Sequence, residues 1–172
     1  MRMENIILIG MPSSGKSTAG RLIAKRLGYA FLDGDRLIEE AEGRPLSAII
    51  AERGAEGFLE VEEGVLSTLQ CTQTVIAPGG SAVYEEGAMA HLKSIGVVVY
   101  LKIGMQEIKR RIPDFTARGV VMRGKITSLE ELYLERAPLY EKYADFSVDC
   151  TGQSPAETAE EIVLKYKERY EL

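Results

Sequence analysis

The sequence has few of the residues on which many enzyme classes depend. Its 172 residues include two cysteines and a single histidine. The two cysteines, Cys71 and Cys150, cannot form a disulfide framework or a zinc site, and they suit a reducing compartment. Because His91 is the only histidine, the chain cannot form a metal cluster of several histidines, and a Ser-His-Asp triad would have no second histidine beside it. These absences exclude most hydrolase chemistries.

Long apolar runs and an excess of positive charge are also lacking. The apolar run near the start, residues 6–11, is far below the roughly 18 residues that a membrane span needs. No basic segment with a long apolar stretch follows Met1, as a secretory signal would require. The net charge of -5 argues against a general nucleic-acid-binding surface. We therefore expect a cytoplasmic protein that binds neither membranes nor nucleic acid.

The remaining composition and its order predict an α/β fold. Hydrophobic residues make up 45% of the chain and charged residues 27%, which suits one folded domain over residues 1–172. Short strand-like runs alternate with helical patterns such as 18–27, which ends at Gly28, and a last helix that opens at Ser154. The strand-like runs are 6–9, 31–32, 75–77, 97–101 and 146–148. This alternation predicts a five-stranded parallel sheet with helices on both faces.

The loop after the first predicted strand matches a phosphate-binding motif. Residues 10–18 read Gly-Met-Pro-Ser-Ser-Gly-Lys-Ser-Thr, which satisfies G-x-x-x-x-G-K-[ST]. Backbone amides of such a loop surround a polyphosphate, Lys16 adds a full charge and the Ser17 hydroxyl can bind Mg²⁺. A chance match is disfavoured because a buried strand precedes the motif and an amphipathic helix follows it. The candidate nucleotide-binding residues here are Ser13, Ser14, Gly15, Lys16, Ser17 and Thr18.

Other features narrow the class of nucleotide-binding protein. Asn5 is the only asparagine, so the guanine-reading motif N-K-x-D is impossible. ATPase motors usually have a hydrophobic strand that ends in adjacent acidic residues, and this sequence has none. Of the classes that use this loop, a compact kinase remains. Asp33 and Asp35 follow the second predicted strand, at the sheet edge where ligands of open α/β sheets lie. One acid can serve Mg²⁺ and the other a substrate hydroxyl; the alternative is a solvated turn in which Asp35 caps a helix over 36–41.

These segments together resemble the shikimate kinase family almost from end to end. The resemblance rests on the phosphate loop, residues 31–40, Gly79-Gly80, residues 136–140 and the strand at 148–149. It implies a three-layer α/β/α P-loop kinase fold, a substrate-binding segment at about 34–62 and a lid at about 112–125. The segment expected to form the lid could equally be an ordinary surface loop. We also expect a monomer, ATP as phosphoryl donor and Mg²⁺ as cofactor.

The resemblance also implies roles for individual residues. Catalysis would fall to Lys16, Asp35 and the lid arginine Arg118. The metal would be held by Ser17 and Asp33. Nucleotide contacts would further come from Arg111, Arg118 and Gln153, the last of these beside the adenine. Substrate contacts would come from Asp35, Leu59, Gly79, Gly80 and Arg136.

The sequence departs from the family pattern in the substrate half. Leu59 stands where the family usually has an arginine that clamps the substrate carboxylate, and Ser81 ends the usual run of three glycines. A charge-assisted hydrogen bond is worth about 1.5–3 kcal/mol, so losing one clamp weakens binding without forbidding it. Leu59 could face an apolar part of another small alcohol, or it could be ordinary core on a helix over 56–69.

Arg136 is open to two interpretations from the sequence. It could pair with the substrate carboxylate, or it could be a solvated residue paired with Glu131 or Glu135. Pro138 is expected to kink or end the helix just after Arg136 and to turn the guanidinium inward.

Three functions remain open from the sequence. The first is phosphorylation of shikimate to shikimate 3-phosphate. The second is phosphorylation of a different small hydroxylated metabolite, as Leu59, Ser81 and the altered sequence after Arg118 would suit. The third is a non-catalytic ATP-binding paralogue, against which the intact set of Lys16, Ser17, Asp33 and Asp35 argues.

Overall fold

A computed structural model describes residues 4–113 and 126–170 of the chain. Within these ranges there are five strands: β1 Asn5–Ile9, β2 Ala30–Asp33, β3 Thr74–Ala77, β4 Gly96–Lys102 and β5 Phe146–Asp149. The helices of the described residues are α1 Lys16–Leu27, α2 Gly34–Glu42, α3 Leu46–Ser67, α4 Glu86–Ile95, α5 Met105–Arg111, α6 Leu129–Tyr143 and α7 Pro155–Tyr170. A short 3₁₀ turn, Ala82–Tyr84, precedes α4.

The five strands form one parallel sheet in the order β2-β3-β1-β4-β5. β1 lies at the centre and is fully buried, which explains why its residues 6–9 are apolar on both faces. Its side chains alternate between two cores. Ile7 packs with residues of α3, α4, α5 and α6, whereas Ile6 packs with residues of α1 and α7. The predicted three-layer α/β/α P-loop kinase fold is confirmed.

A third apolar cluster lies between α2 and α3. It contains Ile38, Ile49, Phe58, Leu59, Val61 and Tyr84. α3 is interrupted at Gly54, whose φ of 70° and ψ of -176° are not helical, so α3 runs as two segments joined by a bend. The predicted substrate-binding segment, 34–62, covers α2 and most of α3.

Two details of the helices differ from the sequence-based expectations. α6 continues through Pro138 to Tyr143, so of the expected kink or end just after Arg136, the end does not occur. Proline removes the hydrogen bond to the carbonyl four residues earlier, that of Leu134; because Leu134 is 71% exposed, water can reach this side of the helix. The cap of α2 is Asp33 and not Asp35, and the helix begins at Gly34.

The predicted lid, 112–125, lies outside the described residues from position 114 onward, and Arg118 with it. Within the described ranges, no helix is both long enough and apolar enough to cross a membrane.

Candidate active site

A cleft of about 820 Å³ opens where β1, β2 and β3 end. One side is formed by the phosphate loop, residues 10–18. The other side, called here the α2–α3 side, is formed by Asp35, Phe58, Gly79, Gly80 and Arg136, with apolar side chains of α3 next to them. The parallel sheet brings these distant segments together because the carboxyl ends of its strands share one edge.

The phosphate loop begins with a backbone position that only glycine can occupy. Gly10 has a φ of 152°, and a Cβ there would lie 2.8 Å from the carbonyl oxygen of Leu101 on β4. Ser13 also has a positive φ, 61°, and Gly15 precedes the first turn of α1 with a φ of 93°. Loop amides and the amino-terminal end of α1 therefore lie at the cleft, an arrangement suited to a polyphosphate.

Lys16 is held against this loop. Its Nζ donates hydrogen bonds to the carbonyl oxygens of Gly10 and Met11, both at 2.8 Å. Burial, and then the positive charge of Arg136, lower the pKa of Lys16 to about 8, although Asp35 and Asp33 act in the opposite direction. The ammonium already lies among oxygen acceptors beside the loop amides, where phosphate oxygens could replace the carbonyls.

Asp33 and Ser17 form a pair of oxygen donors at the end of β2. Asp33 Oδ1 accepts hydrogen bonds from the backbone amides of Asp35 and Arg36, which caps α2. Its other oxygen, Oδ2, accepts a hydrogen bond of 3.2 Å from the Ser17 hydroxyl. The described residues contain no group of three or more His, Cys, Asp or Glu side chains suited to a metal. A serine and one carboxylate still fit Mg²⁺, which keeps several waters and takes further oxygens from phosphates.

Asp35 lies at the start of α2 and lines the cleft. Burial, followed by the nearby Asp33 carboxylate, raises the pKa of Asp35, while Lys16 opposes that change. Its Oδ1 lies 3.1 Å from the point where a Cβ of Gly79 would be. A carboxylate so placed can accept a hydrogen bond from a hydroxyl group bound against the glycine backbone.

Arg136 is a buried cation that also lines the cleft. It is 1% exposed, so the interpretation as a solvated surface residue is wrong. Its Nε donates a hydrogen bond of 3.1 Å to the Tyr84 hydroxyl, and the guanidinium lies over the Tyr84 ring. A Cβ on Gly80 would lie 2.8 Å from Arg136 Nη1, so glycine allows the guanidinium to approach the backbone. The Tyr140 hydroxyl fixes this backbone by donating to the Gly80 carbonyl at 2.8 Å.

Three other predicted residues are not among those that line the cleft. Arg111 Nη1 donates a hydrogen bond of 3.0 Å to the carbonyl of Ser13, so Arg111 adjoins the phosphate loop. Gln153 bonds instead to Glu161 and Thr158 on α7 and does not line the cleft. Leu59 is 1% exposed in the cluster between α2 and α3, and its neighbour Phe58 lines the cleft instead.

Sequence reasoning missed a buried carboxyl next to the cleft. Glu62 on α3 is fully buried and accepts a hydrogen bond of 2.9 Å from the Ser81 hydroxyl. Its spacing from Phe58 and Leu66, four residues on either side, places it on the buried face of α3, and this signal could have identified it.

The fold and the phosphate loop define the class: this is a P-loop small-molecule kinase. The family model "Shikimate kinase" matches residues 12–167. A shikimate kinase of Thermodesulfovibrio yellowstonii is 37% identical over 167 residues, which are 96% of each chain. The chain belongs to the shikimate kinase family, and it is an ATP-dependent small-molecule kinase.

Solved structures agree with this assignment. The shikimate kinase of Acinetobacter baumannii in complex with shikimate has a TM-score of 0.87 and is 29% identical, with 97% of this chain and 94% of that one covered. The shikimate kinase of Aquifex aeolicus has a TM-score of 0.78 at 29% identity, with 96% and 98% covered.

Proposed function

We propose that this kinase transfers the γ-phosphoryl group of MgATP to a hydroxyl of shikimate and releases shikimate 3-phosphate and ADP. The observation that carries the choice of acceptor is Arg136, a buried cation in the wall of the cleft. A cation with five donors in a fixed fork matches a carboxylate. The relative from Acinetobacter baumannii, solved with shikimate, supports the same acceptor.

The two sides of the cleft would hold the two reactants. The phosphate loop, with Lys16 and the adjoining Arg111, would bind the nucleotide. The α2–α3 side would bind shikimate, with its carboxylate on Arg136 and its reacting hydroxyl on Asp35. This arrangement supports direct transfer, because Lys16 and Asp35 line one continuous cleft.

Ser17 and Asp33 are the residues that would hold Mg²⁺. Because Asp33 Oδ1 is used by the cap of α2, Oδ2 and the Ser17 hydroxyl are the oxygens that face each other. When bound, the ion neutralises charge on the phosphate oxygens.

Transfer forms a bond between the substrate oxygen and the γ-phosphorus while the bond to the β-phosphate oxygen breaks. Asp35 orients the hydroxyl and accepts its proton. The Lys16 ammonium stabilises negative charge that spreads over the phosphoryl oxygens. The predicted lid arginine, Arg118, would add a second cation, and this role stays a prediction. All of these groups belong to one chain, which supports a monomer.

A second acceptor, another small hydroxylated metabolite, is favoured by one observation. Leu59 lies in the core, so position 59 supplies no second cation to the cleft, and apolar side chains such as Ile50 and Phe58 line the α2–α3 side. A less anionic alcohol would suit such a wall.

The test is an acceptor assay with the purified protein. Shikimate and a panel of small alcohols, with and without a carboxylate, are compared by ADP release, and phosphorus NMR identifies the product. We expect shikimate-dependent ADP release matched by a phosphate ester, and a rate about 10²- to 10⁴-fold lower with Asp35→Asn. ADP release only with an uncharged alcohol would establish the second acceptor, and no transfer to any alcohol would contradict both.

A further inference from the structure

The pair formed by Ser81 and Glu62 has no part in the transfer described above. Ser81 Oγ donates to Glu62 Oε1, and both side chains are buried. Among the described residues, Glu62 Oε2 has no hydrogen-bond partner. It lies 3.1 Å from the point where a Cβ of Gly79 would be, the same distance as Asp35 Oδ1. An orphaned carboxyl oxygen therefore points at the glycine backbone that lines the α2–α3 side.

The charges around Glu62 come from several elements. Asp35 on α2 and Glu85 before α4 are negative, and Arg136 on α6 is positive. Tyr140 on α6 is a further titratable neighbour among the described residues. Burial raises the pKa of Glu62 to about 8, and the Ser81 hydrogen bond and Arg136 only partly offset it. A buried carboxyl with one oxygen unpartnered is more stable as the neutral acid than as the ion.

We propose that Glu62, positioned by Ser81, works as a neutral acid in the wall of the α2–α3 side, so that it adds no negative charge to the pocket that binds an anionic acceptor. The inference rests on the proposed function for the identity of that acceptor. Ser81 and Glu62 are positioning residues: Ser81 holds one carboxyl oxygen, and the proton resides on the other, next to Gly79.

The consequence is a dependence of acceptor binding on pH. A rise in pH ionises Glu62 and places a negative charge beside Asp35, where it repels a carboxylate. If only the protonated form binds, the affinity for shikimate falls about tenfold between about pH 7 and about pH 9. Binding at about pH 8 then takes up roughly half a proton.

The first experiment requires no substrate. Infrared spectra of the wild-type protein and of Glu62→Gln are recorded near neutral pH. Their difference isolates the carbonyl band of a protonated Glu62, because the substitution removes that carboxyl group. We expect this band in the wild-type protein and its disappearance near pH 8. An ionised Glu62 at neutral pH would overturn the inference whatever the acceptor is.

The second experiment measures shikimate binding by calorimetry without nucleotide, in buffers of different ionisation enthalpy. Burial lowers the pKa of Lys16 to about 8 as well, and because both proteins contain Lys16, the comparison of wild type with Glu62→Gln isolates the contribution of Glu62. We expect the fall in affinity and the proton uptake to be larger in the wild-type protein than in Glu62→Gln, and the difference is the contribution of Glu62. Equal pH profiles for the two proteins would contradict the proposal. If the infrared band is present and shikimate does not bind at any pH, the proposed acceptor is wrong while the neutral Glu62 stands.

The role of Ser81 has its own readout. The Ser81 hydrogen bond favours the ionised carboxyl of Glu62. We therefore expect Ser81→Ala to lose affinity for shikimate at a higher pH than the wild-type protein does. Thr74→Val is the matched control, since it removes another buried hydroxyl, which bonds to Thr72 near the opposite end of β3. A shift in Ser81→Ala without one in Thr74→Val supports a positioning role, and the same profile in both variants would refute it.

Discussion

Replacement of Arg136 by methionine tests the part of the site on which the choice of acceptor depends. Arg136 is 1% exposed and lines the cleft, so a substrate carboxylate would meet it away from bulk water. Hydrogen bonds to charged groups contribute about 1.5–3 kcal/mol, which is about 10- to 150-fold in affinity. We expect Arg136→Met to raise the KM for shikimate by this factor and to leave the KM for ATP near its wild-type value.

The effect on stability is the necessary control. Methionine relieves the cost of burying a cation, but it leaves the Tyr84 hydroxyl without the bond donated by Arg136 Nε. The two contributions oppose each other, and a net change of about 1 kcal/mol shifts the Tm by roughly 2–4 °C in a domain of this size. Calorimetric unfolding therefore shows whether a raised KM in Arg136→Met comes from a missing substrate contact or from a protein that no longer folds.

The assay is steady-state ADP release over a range of shikimate concentrations, with Arg136→Lys as the companion variant. Lysine keeps the charge but loses the planar fork, so its KM should fall between those of the other two proteins. A folded Arg136→Met protein with a wild-type KM for shikimate would refute the placement of the carboxylate on Arg136.

Three further predictions concern the rest of the cleft. Lys16→Ala should lose on the order of 3 kcal/mol of transition-state stabilisation, seen as a fall of two orders of magnitude or more in kcat, and near-normal turnover would contradict its role. Asp35→Asn should keep its affinity for ATP in calorimetry while transfer falls about 10²- to 10⁴-fold; equal rates would show that Asp35 takes no proton. Gly80→Ala should raise the KM for shikimate more than that for ATP, because its Cβ would lie 2.8 Å from Arg136 Nη1. An unchanged KM for shikimate would mean that Arg136 can shift away from the new Cβ and still bind shikimate equally well.

The sequence predicts the sheet and the phosphate loop well because both depend on local patterns. The strands are short apolar runs, and the loop is a contiguous motif whose glycines are required by backbone geometry. Gly10 shows this directly, since β4 lies against the position of its missing side chain. The identity of the α2 cap was less predictable, because Asp33 and Asp35 both have suitable side chains and only the start of the helix at Gly34 decides between them.

The α2–α3 side was harder to predict because it is assembled from four separate segments. Arg136 is buried with its Nε bonded to the Tyr84 hydroxyl, and the Tyr140 hydroxyl bonds to the Gly80 carbonyl. No local pattern in the sequence links these residues. Pro138 was expected to kink or end the helix just after Arg136; α6 does not end there, while Arg136 is buried as expected.

The two departures from the family pattern acquire different meanings in the structure. Leu59 belongs to an apolar cluster. The leucine in place of the usual arginine therefore removes a positive charge from this region and adds no polar contact. Ser81 adds a hydroxyl bonded to the buried Glu62. Because a neutral Glu62 adds no charge next to Arg136, one guanidinium can bind an anionic acceptor without a second clamp. Specificity on this side then depends on a proton as well as on side-chain identity, and a comparison of residues alone would not detect it.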